Sequence, residues 1–170
     1  MLSTLLALTL LFAAQPQQTS QNSLDRLSFM VGHWTGAGTG TPGEGAGEFT
    51  FEWGLNRNIL IRKSFAVYPA TKDRPASRHD DLLIVFAENS KLRADYFDSE
   101  NHTIHYSFAV AADGKTVECL SDAIPSAPRY RLTYARAGNE NSLRLKFEIA
   151  NPDKPAAFNS YIDAVLQRVR

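Results

Sequence analysis

The sequence predicts an all-β protein, an antiparallel up-and-down β-barrel of about ten short strands with a short N-terminal helix. Three observations support this prediction. Many segments alternate apolar and polar residues, most clearly Glu48 to Trp53, which places three aromatic rings on one face. Turn signals such as Asp113-Gly114 separate these segments. No later segment has the pattern of a long helix that could connect parallel strands, so sequential antiparallel pairing is expected.

Length and composition favour a single globular domain over residues 23–170. The chain has 170 residues, of which 44% are hydrophobic and 21% are charged, close to the average for globular proteins. Lys plus Arg and Asp plus Glu number 18 each, so the chain has no excess positive charge to attract nucleic acid. The aromatic content of 11% suits a sheet protein with a roomy apolar interior.

The first residues resemble a secretory signal. Residues 1–14 form an apolar run that is too short to span a bilayer, and residues 15–22 form a polar, Gln-rich linker. We therefore expect cleavage near Ala14, a secreted or periplasmic location, and no membrane association after the signal is removed. Cys119 is the single cysteine, so it cannot form an intramolecular disulfide and is expected to be a small buried hydrophobe.

The segment Met30 to Gly40 is expected to close one end of the barrel. It sets Trp34 among several glycines, which suggests a large ring packed where backbone must approach closely. Residues 23–31 before it have apolar side chains three and four positions apart and a Ser that can cap, so a short helix should plug the same end. An ordinary core Trp followed by a loop remains the alternative.

The rest of the chain divides into strands and turns. Residues 39–47 contain four glycines and Pro42 and are expected to form a loop, and Pro69 to His79 is expected to form a longer one. Further strands are predicted at residues 48–53, 59–68, 81–87, 92–98, 102–110, 116–120, 129–136, 143–149 and 158–169. The strand at residues 81–87 is apolar on both faces, as expected for one that is packed on both sides.

Three stretches together resemble calycin-like (lipocalin-like) proteins, most closely the nitrobindin-like and DUF1579-type groups. These stretches are Leu27 to Gly36, with its Gly-x-Trp-x-Gly core, the aromatic second strand, and Tyr161 to Arg168. The resemblance implies a ten-stranded up-and-down barrel with an internal apolar cavity. It also implies haem in some members, held by an axial histidine on the last strand.

Haem is not expected here, because Tyr161 occupies the position that matches the axial histidine and no histidine follows His105. A tyrosinate can bind ferric iron. However, Arg168, seven residues on, should lie on the opposite face of a regular strand and could not stabilise the anion. A barrel tyrosine whose ring packs in the interior is therefore the preferred interpretation of Tyr161.

No metal site or catalytic signature is predicted. His102 and His105 should point to opposite faces of an extended strand, while His33 and His79 fall in or near loops, so all four are expected at the surface. His79 with Asp80-Asp81 has the composition of an acid–base cluster, although a solvated loop end is the commoner explanation. The chain lacks a Gly-x-Ser-x-Gly elbow, and the glycines at residues 36–47 precede no helix that could bind phosphate.

Three functions remain open from the sequence. The first is a binding module that holds a small apolar molecule, with a cavity lined by Trp34, Phe51, Phe65, Phe86, Tyr106, Phe108 and Tyr161. The second is an enzyme of isomerase or hydrolase type in the same cavity, and the third is a packed barrel without a cavity. Cavity volume would separate the third from the others, and convergent polar groups inside the cavity would favour the enzyme. The oligomeric state is left open.

Overall fold

The chain forms a closed antiparallel β-barrel, as predicted. A computed structural model describes residues 23–40 and 42–169, so the predicted signal at residues 1–14 and the predicted linker at residues 15–22 lie outside the described residues. Each strand pairs with its neighbours in sequence, and the first strand pairs with the last to close the barrel. The ten strands are β1 Gly32–Gly40, β2 Gly45–Gly54, β3 Ile59–Tyr68, β4 Ser77–Glu88, β5 Lys91–Asp98, β6 Thr103–Val110, β7 Thr116–Ser121, β8 Arg129–Arg136, β9 Ser142–Ala150 and β10 Phe158–Arg168.

The alternating pattern of β2 determines which side chains face the core. Phe49 and Phe51 are buried inside the barrel, where their rings meet edge to face with centroids 5.5 Å apart. Glu52, on the other face, accepts a 2.8 Å hydrogen bond from Lys63 of β3. The inward rings therefore build the core while the outward charges pair across neighbouring strands.

A short N-terminal plug, residues 23–31, closes one end of the barrel. It consists of a helical turn at residues 23–25 and a 3-10 helix at Ser28–Met30. Leu24 and Leu27 are buried against the core, and the Trp34 indole donates a 2.7 Å hydrogen bond to the Met30 carbonyl. The prediction that this region closes the barrel around a buried Trp34 is confirmed.

The predicted glycine loop at residues 39–47 is mostly strand. β1 extends to Gly40 and β2 begins at Gly45, so most of the predicted loop belongs to the two strands. A Cβ atom at Gly36 would lie 2.4 Å from the Val165 carbonyl oxygen of β10, and one at Gly47 would lie 2.4 Å from the Phe65 carbonyl oxygen of β3. These glycines are needed because neighbouring backbone occupies the space of a side chain, which local propensity does not reveal.

Two other features differ from the sequence prediction. β4 begins at Ser77, so the long loop covers residues 69–76 and His79 belongs to a strand. A register shift between Ser160 and Ile162 interrupts the pairing of β10 with β9. Because the bulge changes the alternation of β10, Tyr161 and Arg168 both face inward, so the expectation that they lie on opposite faces is wrong.

Arg168 lies at the plugged end of the barrel. Its guanidinium sits 4.1 Å from the centre of the Trp34 ring and donates hydrogen bonds to the carbonyls of Phe29 and Val31. Cys119 is fully buried, and burial raises the pKa of its thiol. Within residues 23–40 and 42–169, no helix is long and apolar enough to span a membrane.

Candidate ligand-binding cavity

The barrel is filled at the plugged end and hollow at the other. The core at the plugged end includes Trp34, Phe51, Leu60, Leu83, Val85, Phe108 and Val117, all buried. Towards the opposite end the inward positions of β1 and β2 are Gly36, Gly38, Gly45 and Gly47. Because glycine has no side chain to fill the barrel interior, these positions help to open a cavity of about 520 Å³.

The cavity wall is predominantly apolar. Tyr130 and Phe147 stack with their ring centroids 5.9 Å apart, and Phe147 also meets Tyr161 edge to face at 6.0 Å. The remaining apolar wall is formed mainly by Phe49, Ile104, Leu132, Leu145, Ile149, Ile162 and Leu166. Such a surface favours an apolar ligand body because contact with it removes apolar area from water.

A buried ion pair forms the cavity floor, which we define as Arg62 and Asp81. Arg62 lies on β3 one inward position beyond the core residue Leu60, and its side chain is only 4% exposed. Its guanidinium donates hydrogen bonds to the Asp81 carboxylate and to the hydroxyl of the buried Tyr134. Burial alone would lower the pKa of Arg62, but Asp81 and Tyr134 raise it by more, so the group stays charged.

A histidine and a tyrosine extend the polar floor along β4 and β5. The Nε2 atom of His79 lies 2.9 Å from the Tyr96 hydroxyl and 3.9 Å from the Asp81 carboxylate. Its Nδ1 atom lies 3.3 Å from a carboxylate oxygen of Glu100. Burial, and then the charge of Asp81, raise the pKa of Tyr96 well above its ordinary value, so this phenol is a neutral hydrogen-bonding group.

Charged side chains surround the cavity mouth, at the strand ends farthest from the plug. The Asp98 carboxylate accepts 2.9 Å hydrogen bonds from the backbone of Glu100 and His102 and lies 2.9 Å from the His102 ring. Burial acts to raise the pKa of Asp98, but these hydrogen bonds outweigh it and hold the pKa below its usual value. Arg74 reaches across the loops to donate to the Pro42 carbonyl, and its guanidinium lies 5.7 Å from the Tyr68 ring.

The seven residues predicted to contact a ligand fall into three groups. Tyr106 and Tyr161 line the cavity. Trp34, Phe51 and Phe108 face inward but belong to the filled, plugged end. Phe65 borders the cavity, yet it lies between the inward residues Ser64 and Ala66, and Arg78 packs 3.9 Å from its ring on the outer face. Phe86 follows the inward Val85 and is outward by the same alternation. Contact with a ligand stays a prediction for all seven.

Sequence reasoning missed the polar floor. Phe65, a predicted ligand contact, lies on one face of β3, whereas the opposite face places Arg62 among apolar and small residues. A lone arginine on such a face is the signal that could have revealed an interior charge. The sequence favours a solvated loop end for His79 and Asp81, because it does not show that their partners, Tyr96 and Arg62, lie beside them on other strands.

The expectation that all four histidines lie at the surface is partly wrong. His33 lies 3.3 Å from Glu48, and His105 lies 2.7 Å from Asp95, both with substantially exposed rings. His79 is largely buried and lines the cavity, and His102 lines its mouth while remaining exposed. Across the described ranges, no group of three or more His, Cys, Asp or Glu side chains converges in a way that could hold a metal ion.

The residues around Tyr161 do not fit a haem site. Its ring is held against Phe147, and none of the residues that the structure describes hydrogen bonds to its hydroxyl. Arg168 faces the same interior but is engaged at the plugged end, so it is not available to stabilise a phenolate. We expect that titration with ferric haem gives no saturable Soret shift at micromolar concentration. A stoichiometric shift that disappears in Tyr161→Phe would contradict this expectation.

Comparisons with known proteins show likeness at the level of structure alone. No family model matches the chain, and no curated protein matches it. A de novo designed fluorescence-activating β-barrel is 10% identical over 85% of this chain and 98% of its own, with a TM-score of 0.43. The S-type phycobiliprotein lyase from Guillardia theta is 10% identical over 90% of this chain and 94% of its own, with a TM-score of 0.46.

A third solved structure is a protein of unknown function from the DUF3598 family of Nostoc punctiforme PCC 73102. It is 8% identical over 86% of this chain and 98% of its own, with a TM-score of 0.32. Matches with so little identity and such low TM-scores concern the fold and do not determine function. The functional conclusion therefore rests on the cavity of this chain itself.

Proposed function

We propose that this protein is an exported binding protein that holds a small, largely apolar molecule inside its barrel. The observation that supports this most directly is the cavity of about 520 Å³ in a barrel whose opposite half is filled by core side chains. That volume lies within the usual range for small-molecule sites, about 300–1,000 Å³. The apolar walls and the few polar groups at the floor have the composition typical of such sites.

Narrowing the cavity should weaken binding. Ala66 points inward between Ser64 and Tyr68 and lines the cavity, so the ring in Ala66→Phe would occupy ligand space. We expect the wild type to bind prodan, a neutral naphthyl ketone dye, with a blue-shifted emission, and Ala66→Phe to weaken that binding by at least about tenfold, as expected for lost apolar contact. Fluorescence titration measures both affinities.

The matched control for this experiment is Ala109→Phe. Ala109 lies on β6 between the inward Phe108 and Val110, so its side chain is exposed on the outer face. This variant adds the same ring without reaching the cavity and should bind prodan as the wild type does. Equal weakening by the two variants, or no binding by the wild type, would contradict the proposal.

A cavity enzyme is the second candidate, and the His79 contacts with Tyr96 and Glu100 favour it, since a hydrogen-bonded imidazole can transfer protons. Native mass spectrometry of protein purified from its source would identify a bound molecule. If that molecule remains unchanged during incubation, binding is the function. A change in its mass that proceeds with time and stops in His79→Gln would establish catalysis instead.

We infer a relationship to the nitrobindin-like and DUF1579-type groups from Leu27 to Gly36, the aromatic second strand, and Tyr161 to Arg168. We infer export from residues 1–14. An apolar run of this length followed by a polar segment is typical of a cleaved signal. Mass spectrometry of the protein from its native host should find a mature chain that starts between Gln15 and Gln21. An intact Met1 on cytoplasmic protein would contradict export while leaving the binding proposal untouched.

A further inference from the structure

The Arg62 guanidinium retains hydrogen-bonding capacity at the cavity floor. One terminal nitrogen donates to Asp81 and the other donates to Tyr134, while Nε is buried from solvent and has no hydrogen-bond partner in the structure. Arginine carries five N–H donors, and a buried donor without a partner costs free energy. Arg62 also borders the cavity, where a bound molecule can supply an acceptor.

The charges around Arg62 select the kind of acceptor. Asp81 already neutralises the guanidinium, and its side chain is only 9% exposed. A carboxylate from a ligand would add a second negative charge beside Asp81 in a poorly solvated site, which is costly without another cation. A ketone, ester or amide oxygen accepts the same hydrogen bond and adds no charge.

Resting on the proposed binding function, we propose that the ligand is an uncharged molecule whose carbonyl-type oxygen accepts a hydrogen bond from Arg62 at the cavity floor. Its apolar body then lies along the wall towards the Tyr130–Phe147 stack. The neutral hydroxyl of Tyr96, held by His79, borders the same floor and can contact the polar end of the molecule. The Arg62–Asp81 pair therefore favours an uncharged polar group of the ligand over a negatively charged one.

Three matched ligands test this assignment. Acetylnaphthalene, naphthoate and isopropylnaphthalene, all substituted at the same ring position, share an apolar body and nearly the same shape. At pH 8 we expect the wild type to bind the ketone at least about tenfold more tightly than the hydrocarbon, the effect of one hydrogen bond to a charged donor. The carboxylate should bind more weakly than the ketone. Isothermal titration calorimetry measures all three.

A double substitution removes the floor without leaving an unpaired charge. In Arg62→Met/Asp81→Leu the preference for the ketone over the hydrocarbon should fall to within about twofold, because no charged donor remains at the cavity floor. Arg144→Met/Asp163→Leu is the matched control. It removes an exposed pair that joins β9 to β10 at 2.8 Å on the outer face, so the preference for the ketone should be retained.

An infrared measurement on the wild type does not depend on the folding of either variant. The carbonyl stretch of bound acetylnaphthalene should move to lower frequency than in hydrocarbon solvent, because a hydrogen bond to Arg62 weakens the carbonyl bond. An unshifted stretch would overturn the assignment.

The calorimetric outcomes distinguish a failure of the carbonyl assignment from a failure of the proposed binding function. Equal affinity for the ketone and the hydrocarbon would mean that Arg62 donates no hydrogen bond to the ligand. Tighter binding of the carboxylate than of the ketone would mean that the cavity floor is an anion site. Either result overturns the inference while leaving a binding protein. Failure of all three molecules to bind would instead count against the binding function itself.

Discussion

Trp34→Ala is expected to lower the free energy of unfolding by about 3–5 kcal/mol, the range for large-to-small aromatic changes in a packed core. Trp34 is fully buried, and its removal would leave a cavity at the plugged end. The change would also deprive the Met30 carbonyl of its 2.7 Å hydrogen bond and the Arg168 guanidinium of the ring beside it. Denaturant unfolding at equilibrium measures the loss.

Trp53→Ala provides the comparison, since Trp53 is the other tryptophan of the chain and is only partly buried. Its ring lies 4.4 Å from the guanidinium of Arg57, an exposed residue. We expect a loss below about 2 kcal/mol for this variant. A Trp34→Ala loss below about 1 kcal/mol would mean that the plug does not depend on the indole.

Asp81→Ala is expected to cost about 3–5 kcal/mol of stability, because removing one partner leaves the Arg62 guanidinium buried without its counter-charge. Arg62→Met should cost a similar amount by leaving the Asp81 carboxylate unpaired. Thermal and denaturant unfolding of the two single variants check these values.

The double variant Arg62→Met/Asp81→Leu should recover much of that loss, because an apolar pair of similar volume carries no desolvation cost. A double-mutant cycle then gives a coupling energy well above the 0–1 kcal/mol typical of an exposed pair. If the two single losses were small and additive, the Arg62–Asp81 contact would be solvated rather than buried.

The sequence alone predicts the barrel because each strand and turn can be identified from its own residue pattern. Glu48 to Trp53 and Arg129 to Arg136 alternate apolar and polar residues, and both form strands where that pattern places them. The turns between them carry ordinary signals such as Asp113-Gly114. Since each strand follows its neighbour in order, local information suffices for most of the topology.

The cavity could not be predicted in the same way, because its residues depend on neighbours that are distant in sequence. Gly45 to Gly47 looked like a loop, since only contact with the backbone of β3 explains glycine inside a strand. Tyr161 and Arg168 change their relative faces at a bulge that no residue type announces. The sequence does not distinguish Asp81 from a surface carboxylate, because its charge partner Arg62 lies on the adjacent strand.

The pairing of β1 with β10 imposes an order on folding. Trp34 pairs with Arg168 across nearly the whole described chain, whereas every other pairing in the barrel joins strands that are consecutive in sequence. The consecutive hairpins can form early at little loop-closure cost, while the closing seam must wait until β10 has been synthesised. Until then β1 and β9 each present an open edge, so the unfinished barrel is the species most exposed to aggregation.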